Sequence, residues 1–201
     1  MNPEIQNAVE AGKLSTAAGT ALERLQPGTY VLHKSWGFGK VGAVDFMVSQ
    51  MIIDFKTKKA HSMQLQYAAE SLQPIPEDHI LAKKAANLAA VKTQAKQDAV
   101  GLMRTMLGSY GGKATQDQIM QTLVPDVFNE TEFKRWWEST KKVLKRDGHF
   151  SVPSKKSDPL ELREAPVSKT DEYLAAFSNA RQLKDLLAAL DQLLKNIADF
   201  A

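Results

Sequence analysis

The stretch HKSWGFGKV, residues 33–41, sets two glycines and two aromatic residues between basic side chains. Such a segment could cradle a phosphate, cage a cationic ligand or dock on another protein. Gly37, Gly39 and Gly42 spell G-x-G-x-x-G by letters. A dinucleotide site needs that pattern between a strand and a helix, and AVDFMVSQMIIDF reads instead as further strand. The phosphate-loop pattern G-x-x-x-x-G-K-[ST] is absent. The glycines are therefore expected to allow a sharp reversal between strands. Trp36 and Phe38 would then point to one face and Gly37 to the other. An aromatic cage would need two or three aromatics to converge beside an acid, with Trp36, Phe38, Phe55 and Tyr30 as candidates. The third chemistry, protein docking, suits exposed strand edges and aromatics.

Catalysis finds little to build on. The histidines are His33, His61, His79 and His149, and none falls in H-E-x-x-H or another metal spacing. His33 and His61 could converge on neighbouring strands, without a carboxylate partner. Asp45 and Asp54 sit at expected strand ends and could pair for acid–base work, although turn or surface roles are commoner for such residues. There is no G-x-S-x-G and no cysteine. The expectation is a protein that is not an enzyme and uses no cofactor or metal.

A second constellation is basic. Residues 131–156 hold Lys134, Arg135, Lys141, Lys142, Lys145, Arg146, Lys155 and Lys156 against Glu132, Glu138 and Asp147. The lysines are expected to wrap around much of a helix whose buried side is Phe133, Trp136, Trp137, Thr140, Val143 and Leu144, with Trp137, Thr140 and Leu144 as its stripe, Phe133 extending it and Trp136 flanking it. Lys141, Lys142, Lys145, Arg146, Lys155 and Lys156 are the candidate nucleic-acid contacts. Asn, Gln and Arg are sparse on this helix, so phosphate contact with strong salt dependence is expected rather than base reading. The alternative is a solvated basic face.

Elements must position these groups. The chain has 201 residues, 26 basic and 23 acidic, and most of the basic excess lies in residues 76–170. No apolar run approaches the roughly 18 residues of a membrane span. MNPEIQNAVE lacks the pattern of a secretory signal. With no cysteine, a cytoplasmic location is expected. Residues 3–11 and 15–25 read as short helices with Ser15 as a cap, and Leu14, Ala18, Leu22 and Leu25 as a stripe that packs on the next domain. After the Pro27-Gly28 turn, TYVLHKS, GKVGAVDF, QMIIDF and AHSMQL read as short antiparallel strands of a bent sheet or barrel. Residues 77–108 are helical, the first part a solvated connector. ATQDQIMQTLV begins at a Thr115–Gln118 capping box, and a third helix begins at Asn129 or Thr131 and ends at Gly148. HFSVP and LELRE then form a hairpin, so the order matches a winged helix. A long C-terminal helix carries Leu183, Leu187, Leu190 and Leu194 on one side, for its own domain, a partner or the rest of a longer chain.

YVLHKSWGFGKVGAVD and IIDFKTKKAHSMQLQYAAESLQPI resemble the Tudor-like RNA-polymerase-interaction module of CarD-like regulators and transcription-repair coupling factors. With EFKRWWESTKKVLKRDGHFSVPSKKSDPLELRE, the chain resembles the extended N-terminal region of bacterial Gre-type transcription elongation factors over roughly residues 20–165. The resemblance implies an α+β protein. Its parts would be N-terminal helices (1–26), a small Tudor-like antiparallel β-barrel (27–76), a helical connector (77–97), a winged-helix-like domain (98–165) and a C-terminal helical segment (166–201). It implies docking on bacterial RNA polymerase, at its β subunit, through a strand edge and Lys34, Trp36, Lys40 and Lys56, with an effect on elongation. The acidic-tipped coiled coil of Gre factors is not found, which implies no stimulation of transcript cleavage by this chain alone. The alternative is a protein-interaction scaffold with a Tudor-like domain and no nucleic-acid role.

Overall fold

The structure is a computed structural model that describes residues 2–153, 155–180 and 182–195. The chain divides into two compact units, Met1–Ala86 and Asn87–Ala201. The first opens with α1 (Pro3–Glu10) and α2 (Thr16–Leu22). Asn2 and Ser15 cap these helices by accepting from the backbone N–H of Glu4 and Ala18. Then come β1 (Tyr30–His33), β2 (Gly37–Asp45), β3 (Gln50–Phe55), β4 (His61–Gln64), α3 (Leu65–Ser71), β5 (Leu72–Ile75) and α4 (Ile80–Ala86).

The five strands form one antiparallel sheet in the order β4-β3-β2-β1-β5. Its inner face carries Val31, Val41, Met51, Ile53, Phe55 and Met63, packed in one cluster with Ile5, Leu14, Ala18, Leu22 and Leu25 from the N-terminal segments. The expected stripe of Leu14, Ala18, Leu22 and Leu25 is thus buried on the sheet.

The Tudor-like β-barrel is overturned. β4 and β5 are the two edges of an open sheet and do not meet. α3 carries the chain from one edge to the other and lays Leu65 and Ala68 on the inner face. A helix thus seals the face that barrel closure would have sealed, and four-residue edge strands have little length with which to curl together.

The expected solvated connector is also corrected. It is two helices, α4 and α5 (Leu88–Gln97), broken at Asn87, and Ile80, Val91 and Ala95 are buried. The second unit continues with α6 (Ala99–Ser109), β6 (Lys113–Ala114), α7 (Gln116–Leu123), α8 (Glu130–Arg146), β7 (Phe150–Ser151) and β8 (Leu160–Leu162). Capping boxes start α7 at Thr115 with Gln118 and α8 at Asn129 with Glu132. The sheet order is β6-β8-β7, so the hairpin after α8 gains a third strand that sequence reasoning missed.

The C-terminal segment is two helices packed on each other, α9 (Lys169–Asn179) and α10 (Leu183–Lys195), where one long helix was expected. Ala180 is extended (ψ 118°) and interrupts the helical ladder. Leu183, Leu187, Leu190 and Leu194 are exposed on α10. Residues 196–201, the end of the expected helix, lie outside the described residues. No helix among the described residues is long and apolar enough to cross a membrane.

Candidate functional site

The β1–β2 turn is held by a histidine. His33 is buried, and its Nδ1 accepts from the backbone N–H of Ser35 and of Trp36, both at 3.1 Å. Gly37 has φ +71° and so completes a reversal that an L side chain would strain. Gly39 has a different reason. A Cβ there would stand 2.7 Å from Phe55 Cδ1, so the missing side chain lets the Phe55 ring lie against β2. At Gly42 the register of β2 on β3 slips between Val41 and Ala43. The three glycines of the apparent fingerprint are all explained by sheet geometry.

The aromatics divide between the two faces, which corrects the expectation that Trp36 and Phe38 share one. Trp36 stacks on the fully buried Phe55 (6.2 Å, 26°) and lies 4.7 Å from the His61 ring. Lys58 Nζ stands 5.2 Å from the centre of the Trp36 ring. Phe38 lies on the outer face, stacked on Tyr30 at 5.6 Å, and Lys40 Nζ stands 5.2 Å from the Tyr30 ring. The four candidates therefore fall as two pairs on opposite faces of the sheet, and no three of them share a face.

The four expected docking residues are split likewise. Lys34 is exposed at the turn and Trp36 is half-buried toward the inner side. Lys40 is exposed on the outer face opposite Asp54. Lys56 comes just after β3, its backbone N–H donating to Phe38 O at 3.1 Å. Trp36, Lys58 and His61 form a continuous patch beside edge strand β4.

The structure also separates the candidate acid pair. Asp45 Oδ1 accepts from the N–H groups of Met47 and Val48, and Asp54 Oδ1 from that of Ala60. Each holds a turn. His33 and His61 stand on strands that are not neighbours in the sheet, and their rings lie 6.0 and 5.8 Å from that of Phe55. Among the described residues no group of three His, Cys, Asp or Glu is placed to hold a metal. Met47 and Val48, at the tip of the β2–β3 turn, are 89% and 62% exposed. Sequence reasoning missed them, though apolar residues at a turn tip, where polar ones are the rule, were a readable signal.

Burial, then the charges of Lys58 and His33, lower the pKa of His61 below its ordinary 6.5. The unfolded chain takes up a proton at the ordinary value and the folded chain only at a lower pH. Stability from this group is therefore full above the ordinary value and lost as pH falls through the folded one. The first unit is expected to melt at lower temperature as pH drops from about 7.5 to about 5.5, and His61→Gln to flatten that slope, as thermal scans of the full chain would show.

In the second unit, Phe133, Trp137, Thr140 and Leu144 are the buried residues of α8, whereas Val143, expected on the same side, is exposed. Lys134, Lys141, Lys145 and Lys142 do not wrap around the helix. At 3.6 residues per turn they fall within an arc of about 100° that flanks the buried stripe, Lys141 nearest to Trp137. Lys142, Lys145 and Arg146 are exposed, as are Lys155 and Lys156 on the β7–β8 loop. Lys141 is half-buried and bonded to Glu138 at 2.7 Å. That bond holds the Glu138 carboxyl below the ordinary carboxylate range against the opposing effect of desolvation, and the charges of Lys141, Lys142 and Lys156 add to it. A loop lysine and helix lysines thus share one field.

The base of this surface is braced. Partial burial works against the Asp147 charge, but the backbone N–H and ring of His149 and the Arg104 guanidinium outweigh it and lower the pKa. His149 Nδ1 lies 3.0 Å from Asp147 Oδ1 and is read as the donor. Trp136, half-buried as expected, donates its indole N–H to Ala95 O at 2.7 Å and so ties α8 to α5.

Comparison with known proteins adds a distant relationship. A family model described as the GRAD helix-turn-helix domain matches residues 81–167. The chain is 26% identical over 165 residues to a protein of Treponema pallidum (strain Nichols) named for GreA-associated domains, covering 82% of this chain and 24% of that one. It is 29% identical over 161 residues to the transcription elongation factor GreA of Chlamydia trachomatis, covering 79% of this chain and 22% of that one. The chain is thus a distant homologue of bacterial GreA and GreA-associated domain proteins, and it spans about a quarter of the length of these curated relatives. No solved structure matches it significantly.

Proposed function

We propose that this chain is a non-enzymatic accessory module of bacterial transcription. Its first unit docks on RNA polymerase, its second meets the phosphate backbone of nucleic acid, and together they modulate elongation in the cytoplasm. The observation that carries this reading is the homology, over 79% and 73% of the chain, with two proteins named as transcription elongation factors. The basic face of α8 and the β7–β8 loop supplies the chemistry for the backbone contact.

On the first unit, the docking surface is the turn end of the sheet. Lys34, Lys58, the Trp36 face and edge strand β4 adjoin there, and the β subunit is the expected polymerase contact. An extended segment of the partner adds to β4 by main-chain pairing while the lysines meet acidic side chains. β5 is the poorer edge, because Pro74 removes a donor. Lys40 and Lys56 extend the surface toward the outer face.

The test is binding of the full chain to RNA polymerase core purified from its own organism, read by interferometry. Trp36→Ala is the wrong probe, because Trp36 packs on Phe55. Lys34→Glu/Lys40→Glu reverses two exposed charges and leaves the core intact. The wild type is expected to bind at micromolar or tighter affinity and the variant at least about tenfold more weakly. No wild-type binding at roughly ten micromolar would overturn the docking reading.

A further inference from the structure

Between α8 and the β7–β8 loop lies a small cleft of about 40 Å³. Its polar lining is Gln116, Trp137, Lys141, Lys155, Lys156 and Asp158. Trp137 is 2% exposed, and its indole Nε1 is the one buried side-chain polar atom without a hydrogen-bond partner among the described residues. Trp136, one residue earlier, has its N–H fully engaged by Ala95.

Chemistry narrows what such a cleft can take. An indole N–H only donates, so its partner must be an acceptor. A buried donor without an acceptor is unfavourable, and a ligand that supplies one gains that difference on binding. Three lysines against Asp158, and against Glu138 paired with Lys141, still leave the rim positive by one charge, so the acceptor should be anionic. Asp158 is engaged in the loop itself, its Oδ1 accepting from Ser157 Oγ at 3.1 Å and its N–H donating to Lys155 O at 3.3 Å. The volume suits one compact oxyanion. The lowered pKa of Glu138, to which Lys141 contributes most and Lys156 adds, agrees with a concentrated positive field at this rim.

We propose that this cleft seats one phosphate group of a nucleic-acid backbone, held by the ammonium groups of Lys141, Lys155 and Lys156 and by the indole N–H of Trp137. The proposal rests on the reading of the basic face as a nucleic-acid surface and gives that surface a fixed anchor point. The lysines supply attraction that salt screens. The Trp137 N–H supplies a neutral, directional bond from a rigid core ring, which fixes where along the strand a phosphate sits.

The experiment uses the full chain labelled with ¹⁵N, in which the indole N–H groups of Trp36, Trp136 and Trp137 give separate resonances. Inorganic phosphate is titrated in one arm and a single-stranded oligodeoxynucleotide of about ten residues in the other. Both are expected to move the Trp137 indole resonance and leave that of Trp36 in place. Trp137→Phe keeps an aromatic ring in the core and removes the donor together with the rest of the indole, so its fold is checked against the wild type by thermal melting. It is expected to weaken phosphate binding about tenfold, as loss of a hydrogen bond to a charged group does. Lys155→Gln/Lys156→Gln, on the exposed loop, provides a variant whose folding is not at stake and is expected to weaken both ligands.

If the oligonucleotide binds while the Trp137 resonance stays still, the basic face stands and the seat is overturned. If phosphate moves that resonance but the oligonucleotide does not bind at low salt, the nucleic-acid source is overturned and the seat serves free phosphate. Wild-type phosphate affinity in both variants overturns the seat outright.

Discussion

Phe55→Ala is expected to destabilise the first unit by about 3–5 kcal/mol, the range for deleting a buried aromatic ring. Phe55 has no exposed surface, and the rings of His33, Trp36 and His61 lie around it. The gap could not readily close. Gly39, directly opposite, has no side chain to move into it, and the sheet backbone is pinned on both sides of β2. Urea denaturation of the full chain would test this, with the Trp36 indole reporting the first unit and Trp136 and Trp137 the second. The Trp36 midpoint is expected to collapse while the other two hold. A loss below about 1 kcal/mol would mean that this aromatic centre is not the keystone of the unit. The same variant is expected to lose polymerase binding without touching a contact residue, since the Trp36 face rests on the Phe55 ring.

Lys142→Gln/Lys145→Gln/Arg146→Gln is expected to weaken oligonucleotide binding by about a hundredfold at low salt. It should also make the dependence of log affinity on log salt shallower by about two, at roughly 0.7 per phosphate contact on a single strand. All three side chains are exposed, so the fold should tolerate the change. Lys145 and Arg146 stand in the last turn of α8, where their charge favours the helix by about 0.3–1 kcal/mol each, and a loss of that size is the expected thermal effect. Fluorescence anisotropy over a salt series measures affinity and slope together. An unchanged slope would show that these residues meet no phosphate. A wild-type chain that ignores the oligonucleotide at low salt would leave α8 as a solvated basic face and favour the scaffold reading.

Much of this protein was legible because it is set by neighbours in sequence. Thr115–Gln118 and Asn129 mark helix starts, since a helix leaves its first N–H groups to be met by side chains a few residues away. The buried stripe Phe133, Trp137, Thr140 and Leu144 comes from helical period alone, as the alternating faces of β3 come from the strand period. The strands of residues 30–64 and the basic character of residues 131–156 were readable for the same reason. Other features depended on where distant segments meet. Nothing local says that β4 and β5 remain apart, because closure turns on the path of α3 between them. Lys113–Ala114 is a strand only because β8 lies alongside it. Asp45 and Asp54 looked like a pair until the register put Gln50 and Lys40 opposite them. The parting of Trp36 from Phe38, and the cleft that joins Trp137 to the loop lysines, were likewise decided in three dimensions. Sequence by itself determined most of the elements and their charge, since capping, periodicity and turn chemistry act within a few residues. Only the tertiary structure decided which faces are covered and which side chains share a site, since long-range pairing and packing leave no local mark.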